Sequence, residues 1–335
     1  MKGANKMLDE NFPYYVLVFI LSFILTALLE KNLIPTLRKF ARQPIYEEGP
    51  AWHSIKSGTP TMGGLAFLIS IILALSATAV FLFMKSDYTS AVSMIITVVF
   101  TSLNATIGII DDTAKLKRGK NDGGLTAKQK LIFHFLLALS FVISRKFLLG
   151  DTTEIAFSFG SIDIGFIYYP ISIFIIVGII NSANLTDGID GLASGVAFSV
   201  GVSLFYIACA LSIEVSFISS AIIGASIAFL IFNLHPAKVF MGDTGSLFFG
   251  SLAVSAVFAL DNPFLIILIG GVYVIEGISV IIQVLYYKKT KKRLFKMAPL
   301  HHHLEKSGWS ENTICIVAIL LTFILSIPAY ILYLP

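Results

Sequence analysis

The sequence predicts an all-α integral membrane protein with about ten transmembrane helices, and three observations carry that reading. Hydrophobic residues make up 56% of the 335 and charged residues only 13%, where a soluble domain has roughly a quarter charged. Uncharged apolar runs recur at lengths suited to a hydrocarbon core of about 30 Å. The basic residues, finally, fall in alternate loops.

The runs lie near residues 14–35, 62–84, 90–110, 131–149, 167–183, 192–212, 215–233, 244–260, 263–287 and 313–334. At about 1.5 Å of rise per residue, some 20 residues are needed for each crossing. The first run reads as a retained span and not a signal peptide, because Asp9 and Glu10 precede it and no small-residue cleavage site follows. Cys209 and Cys315 sit inside apolar runs and read as small buried hydrophobes. With no long linker, low-complexity segment or internal repeat, residues 1–335 are expected to form a single polytopic membrane domain.

An even number of spans puts both termini on one side. Loops after the odd-numbered spans hold most of the 24 lysines and arginines, including Arg38, Lys39 and the clusters from Lys115 to Lys130 and Lys288 to Lys296. The other side has Lys2, Lys6, Lys85, Arg145 and Lys146. The positive-inside rule makes the first set cytoplasmic and both termini external. The net charge of +4 gives no ground for a nucleic-acid partner, and none is expected. In "GDTTEIAFSFGSIDIGF", residues 150–166, alternating apolar residues around Gly160 and Ser161 predict a small external hairpin.

The unusual polar motifs all fall on the side expected to be cytoplasmic. Asp111 and Asp112 close the third span, where carboxylates are costly and tend to mark function. At a helix C-terminus they oppose the macrodipole, and no local group is expected to offset that. In "NSANLTDGIDG", Asp187 and Asp190 share a helical face, with Asn184 one step back and Asn181 before it. A polar helix end accounts for one such residue but poorly for four. Asp243 precedes the eighth span, either as an N-cap or as a carboxylate beside an anion-binding helix N-terminus, an arrangement that brings in Mg²⁺.

His301, His302 and His303 are adjacent, so on a helix they point about 100° apart and lack zinc-site spacing. They read instead as hydrogen-bond donors to an anionic substrate. "GTPTMGG", with Lys56 nearby, suits a phosphate but lacks the order of a nucleotide P-loop. Clustered carboxylates surrounded by lysines imply a cation that bridges phosphates, hence a membrane-embedded phosphoryl-transfer site.

In order, from about Arg42 to Glu311, "KSGTPTMGG", "IIDDTAKLKRGKNDGGLTAKQK", "NSANLTDGIDGLASG", "NLHPAKVFMGDTGSLFFG" and "MAPLHHHLEKSGWSE" closely resemble the motifs of the bacterial phospho-N-acetylmuramoyl-pentapeptide transferases, within the polyprenyl-phosphate N-acetylhexosamine-1-phosphate transferase superfamily. The resemblance implies a homodimer of ten-helix chains in the bacterial cell membrane, with its active site on the cytoplasmic face. It implies Mg²⁺-dependent joining of undecaprenyl phosphate to phospho-MurNAc-pentapeptide from UDP-MurNAc-pentapeptide, giving lipid I and UMP.

Residue roles follow the same resemblance. Asp243 is the principal Mg²⁺ ligand; Asp111 and Asp112 place the lipid phosphate, and Asp111 is a candidate base. Asn184, Asp187 and Asp190 hold the uridine and its ribose-diphosphate region, Phe240 stacks on the uracil, and Lys56, Thr61, Asn233 and Gly242 lie nearby. Lys115, Lys120 and Lys128 meet diphosphate or lipid phosphate, and His301 to His303 the sugar-phosphate side. Attack by the lipid phosphate directly, or by an enzyme carboxylate first, stays open. Thr113 and Tyr46 depart from the pattern, standing where an aromatic residue and an arginine are usual.

Two rivals remain. A UDP-N-acetylglucosamine transferase of the same superfamily is disfavoured by "MAPLHHHLE". A secondary transporter would place its carboxylates near the bilayer midplane, not at one face.

Overall fold

The computed structural model describes residues 2–41, 56, 58–119, 123–209 and 211–333, and the backbone alone for residues 2–9. Twelve α-helices account for most of them: α1 (Lys2–Phe40), α2 (Gly64–Met84), α3 (Tyr88–Arg118), α4 (Ala127–Leu149), α5 (Tyr168–Thr186), α6 (Leu192–Ala208), α7 (Ile213–Asn233), α8 (Gly242–Phe258), α9 (Leu265–Ile269), α10 (Gly271–Thr290), α11 (Leu300–Glu305) and α12 (Glu311–Tyr333). Among the described residues, eight helices are long and apolar enough to cross a membrane: α1, α2, α3, α4, α5 with the 3₁₀ turn before it, α7, α10 and α12.

Of the remaining two of the ten expected spans, α6 stops at Ala208, four residues before the end of its run, and α8 has the length of its run but begins two residues earlier, at Gly242. α6 and α8 have 17 residues each, or about 26 Å of helix, a little less than the hydrocarbon thickness. α6 is cut short at its C-terminus, where the N–H groups of Leu211 and Ser212 both turn back to the Ala208 carbonyl. The expected ninth span is interrupted: α9 ends at Ile269 with Gly270 as its C-cap, and α10 begins at Gly271.

Burial separates an inner from an outer set of helices. Every residue of α8 from Thr244 to Phe258 is buried, as suits a helix apolar on all sides at the centre of a bundle. It packs against α2, α3 and α5. The outer helices expose apolar faces instead, with Leu131, Phe135 and Ile143 on α4, Ile278, Ile281 and Leu285 on α10, and Ile316, Leu320 and Ile327 on α12. Exposed apolar faces on several neighbouring helices are those of a bundle solvated by lipid.

The hairpin expected within 150–166 is present. Strands β1 (Glu154–Phe157) and β2 (Gly160–Asp163) pair antiparallel, with Ile155 opposite Ile162 and Phe157 opposite Gly160. It docks on helix ends: Ser158 N–H donates to Leu332 O at 2.8 Å, and Asn262 Nδ2 to Ala156 O at 2.6 Å. Beside it Arg145 holds Asp151 at 2.6 Å, Ser93 Oγ at 3.0 Å and the Phe258 carbonyl at 3.0 Å, tying α3, α4 and α8 together at this end of the bundle.

At the other end α3 and α8 touch through Gly108, where an added Cβ would lie 2.5 Å from the backbone of Asp243 and Thr244. Alanine is the better helix former by about 1 kcal/mol, yet the obstacle is backbone and cannot rotate aside. Gly108→Ala is therefore expected to lower stability by about 1–3 kcal/mol, the usual cost of overpacking, read as a lower unfolding midpoint of the detergent-solubilised protein. An unchanged or raised midpoint would contradict this packing.

Candidate phosphoryl-transfer site

Four helix ends converge beneath the polar loops: the C-termini of α3 and α5 and the N-termini of α4 and α8. Asp111 and Asp112 are fully or almost fully buried on the penultimate turns of α3. Asp111 Oδ2 contacts Lys115 Nζ at 2.7 Å and Lys130 Nζ at 2.8 Å, and its Oδ1 accepts from Leu125 N–H at 2.6 Å. The absence of local support expected for this carboxylate is thus corrected, since Lys115, four residues on along the same helix, supplies a counter-charge.

Asp243 faces the same two ammonium groups, with Lys115 at 3.2 Å from Oδ1 and Lys130 at 2.5 Å from Oδ2. Asn184 Nδ2 reaches Asp243 Oδ1 at 3.1 Å and Ser246 Oγ at 2.9 Å, bringing α5 into the cluster. Asp243 is not the N-cap of α8. Gly242 already belongs to the helix, and the capping is done from α3: Asp112 accepts from Asp243 N–H at 3.1 Å, Thr244 N–H at 3.0 Å and Thr244 Oγ1 at 2.7 Å. Freed from capping, the Asp243 side chain turns to the lysines. Gly242 makes the turn with φ +70°, where a Cβ would lie 2.6 Å from Asp112 Oδ2 and 2.9 Å from Thr61 Oγ1.

Oxygens of Asp111, Asp112 and Asp243 all lie within 4.8 Å of one another. Three carboxylates against two ammonium groups leave a deficit of positive charge. Asp187, at the end of α5, feels that deficit: burial first, then the carboxylates of Asp243, Asp112 and Asp190, hold its carboxyl well above the usual range.

A second cluster frames the adjoining space. Lys56 Nζ contacts Asp190 Oδ1 at 2.7 Å and Glu311 Oε2 at 2.6 Å. His235 Nδ1 and Ala237 N–H reach Asp190 Oδ2 at 2.9 and 3.0 Å. Asp190, His235 and Glu311 have the spacing of a metal site, but the Lys56 ammonium bridges its two carboxylates and already serves as their cation. Asn233 is fully engaged, accepting from Gly191 N–H at 3.1 Å and Ser194 Oγ at 2.9 Å and donating to Val239 O at 2.9 Å. Phe240, half-buried, is fixed by its backbone, its N–H donating to Pro60 O and its carbonyl accepting from Gly63 N–H.

The three histidines have three different settings. His301 is buried against Gly188 and lies 3.2 Å from Glu276 Oε2, which also accepts its backbone N–H. His302 pairs with Glu305 at 2.6 Å, and His303 Nδ1 accepts from Lys296 N–H at 3.1 Å. The rings of His301 and His302 lie 4.2 Å apart, yet each of the three side chains has a different partner.

Not every expected residue takes part. Asn181 donates to Val177 O of its own helix at 2.7 Å. Lys128 is exposed and makes none of these contacts; Lys130, about 200° round the same helix, is the residue that faces the carboxylates. Lys120 lies outside the described residues. Lys130, His235 and Glu311 lie within quoted motifs without any local mark of their part in the site, and Glu276 lies inside α10, outside all of the motifs.

Residues 94–261 match the family Glycosyl transferase family 4, and residues 56–68 match the Phospho-N-acetylmuramoyl-pentapeptide-transferase signature 1. A phospho-N-acetylmuramoyl-pentapeptide-transferase of Halalkalibacterium halodurans is 44% identical over 300 residues, covering 88% of this chain and 90% of the relative. One from Bacillus subtilis is 40% identical over 310 residues, covering 91% and 92%. One from Clostridium perfringens is 39% identical over 332 residues, covering 98% and 99%. With the signature lying on the segment that carries Lys56 and Thr61, and the likeness running through all the helices that build the site, the chain belongs to the phospho-N-acetylmuramoyl-pentapeptide-transferase family.

Proposed function

We propose that this protein transfers phospho-MurNAc-pentapeptide from its UDP-linked precursor to undecaprenyl phosphate, forming lipid I and UMP. The observation that carries the reading is the meeting of Asp111, Asp112 and Asp243 with Lys115 and Lys130 where membrane helices end, in a member of this family. An oxygen of the lipid phosphate bonds to the phosphorus attached to the sugar. The bond from that phosphorus to the UMP oxygen breaks, and its electron pair leaves with UMP.

Little proton transfer is needed, because a phosphate monoester with a second pKa of about 6 is largely ionised at neutral pH. Asp111 already accepts from three donors, which favours a role in holding the two lysines over one as a base. Lys115 and Lys130 bind phosphate oxygens and align the reactants for in-line attack.

The carboxylates fit Mg²⁺, being hard oxygen donors gathered around one point with the Asn184 amide alongside. Asp243 would be the principal ligand, assisted by Asp111 and Asp112. When bound, the ion would supply charge neutralisation between two anionic substrates.

Lys56, Thr61, Asn184, Asp187, Asp190, Phe240 and Gly242 line the nucleotide-sugar pocket, with Asn233 as part of its frame. His301 to His303 border the sugar-phosphate side. We read α6 and α8, with 17 residues each, as short crossings, giving ten in all, with the site on the cytoplasmic face of the bacterial cell membrane, a reading that the basic loops support. The resemblance supports a homodimer.

Three outcomes are expected of the purified protein in detergent. Supplied with undecaprenyl phosphate, it releases UMP from UDP-MurNAc-pentapeptide, and turnover with UDP-N-acetylglucosamine at the same or a greater rate would overturn the assignment of donor. Asp243→Ala lowers kcat by about 10³-fold or more, on the scale of losing a principal charge-stabilising group, and chelation of Mg²⁺ silences the unmodified enzyme; substantial turnover in either case refutes the metal role. Lys130→Ala lowers kcat/KM by about 10²-fold, as expected for loss of a phosphate-aligning cation, and wild-type kinetics in that variant would remove Lys130 from the site.

A further inference from the structure

We propose that Glu311 is a positioning residue that sets the affinity for the nucleotide-sugar by holding Lys56 and the Asp190 backbone in place. The inference rests on the reading of Lys56 and Asp190 as pocket residues.

Glu311 opens α12, the last helix among the described residues. An acidic residue in a first turn usually needs no further explanation, since it favours the helix dipole. Here, however, Ser310 performs the capping: its Oγ accepts from Thr313 N–H at 3.2 Å. The Glu311 carboxylate reaches away from its own helix. Oε2 accepts from Lys56 Nζ at 2.6 Å and from Asp190 N–H at 2.8 Å, and Oε1 lies 3.5 Å from His235 Nδ1.

One side chain therefore meets three connections: that between α1 and α2, through Lys56; that between α5 and α6, through Asp190; and that between α7 and α8, through His235. Asp190 closes the arrangement by contacting Lys56, His235 and Ala237 N–H with its own carboxylate. The Lys56, Asp190 and Glu311 side chains are 17%, 2% and 11% exposed, so these charge-assisted hydrogen bonds are shielded from the screening that weakens surface pairs. With two carboxylates on one ammonium, the position of Lys56 is determined from both sides. Removing Glu311 leaves Lys56 held by Asp190 alone and the Asp190 N–H without its acceptor. No part of Glu311 approaches the Asp111, Asp112 and Asp243 cluster through any contact described above, so its effect falls on binding and not on the reacting groups.

The test is steady-state kinetics of the purified full-length protein and its Glu311→Ala and Glu311→Gln variants, varying each substrate in turn, with inhibition by UMP measured alongside. In Glu311→Ala the KM for the UDP-linked substrate and the inhibition constant of UMP are expected to rise together by about tenfold, the scale of one charge-assisted hydrogen bond. The KM for undecaprenyl phosphate stays unchanged and kcat within about threefold on the same reasoning. Glu311→Gln, which keeps an acceptor for Asp190 N–H, shifts less in the same direction. A purely structural role would instead move both KM values and kcat together; that result, or an unchanged KM for the nucleotide-sugar in either variant, overturns the proposal. If the unmodified protein releases no UMP, the transfer reading itself fails, whereas a working enzyme indifferent to Glu311 refutes this inference alone.

Discussion

The site depends on one carboxylate that caps a helix other than its own. Asp112, on α3, receives the N–H groups of Asp243 and Thr244 and the Thr244 hydroxyl at the start of α8. A helix N-terminus carries unsatisfied donors that must find acceptors when buried, and within the membrane there is no water to supply them. Meeting that need from α3 fixes the two helices in register, allows their approach at Gly108, and leaves the Asp243 side chain with no local duty. The geometry of the three acidic residues follows from this single constraint.

Two lysines then make the concentration of negative charge tolerable. Lys115 comes from the same helix as the Asp pair and Lys130 from the next, so that both ammonium groups are shared between Asp111 and Asp243. The Lys56 cluster repeats the device with one ammonium between Asp190 and Glu311. Both clusters hold one more carboxylate than lysine, but in the first the excess lies where α3, α4, α5 and α8 end together and is felt by Asp187, which suits it to a further cation and to phosphates. In the second, the groups bond chiefly to one another and to backbone, which suits it to holding loops together.

The opposite end of the bundle serves a structural purpose. Arg145 ties α3, α4 and α8 there, and the β1–β2 hairpin covers the ends of α12 and of the segment after α8. With that end pinned, the polar end gathers residues from the α1–α2, α5–α6 and α7–α8 connections and from the ends of α3, α4, α5, α8 and α12.

Much of this was legible in the sequence, because membrane helices are recorded as contiguous apolar runs and because Asp111, Asp112, Asn184, Asp187, Asp190 and Asp243 stand out against them. Hydrophobicity sums along a chain, and an unusual polar motif can be seen without knowing its neighbours. Partnership cannot be seen that way. That Lys130 faces the carboxylates while Lys128 does not depends on the rotation of α4 against α3; that Asp112, not Asp243, caps α8 depends on how closely those helices approach. Glu311 stands at a helix start and His235 in a loop, and nothing within their own segments marks the contact across 121 positions with Asp190 or across 45 with the same residue. The sequence by itself determined the membrane class, most of the long apolar helices and the stock of reactive groups, which are local properties; the tertiary structure decided which groups meet, because that follows from the crossing and rotation of helices distant in the chain.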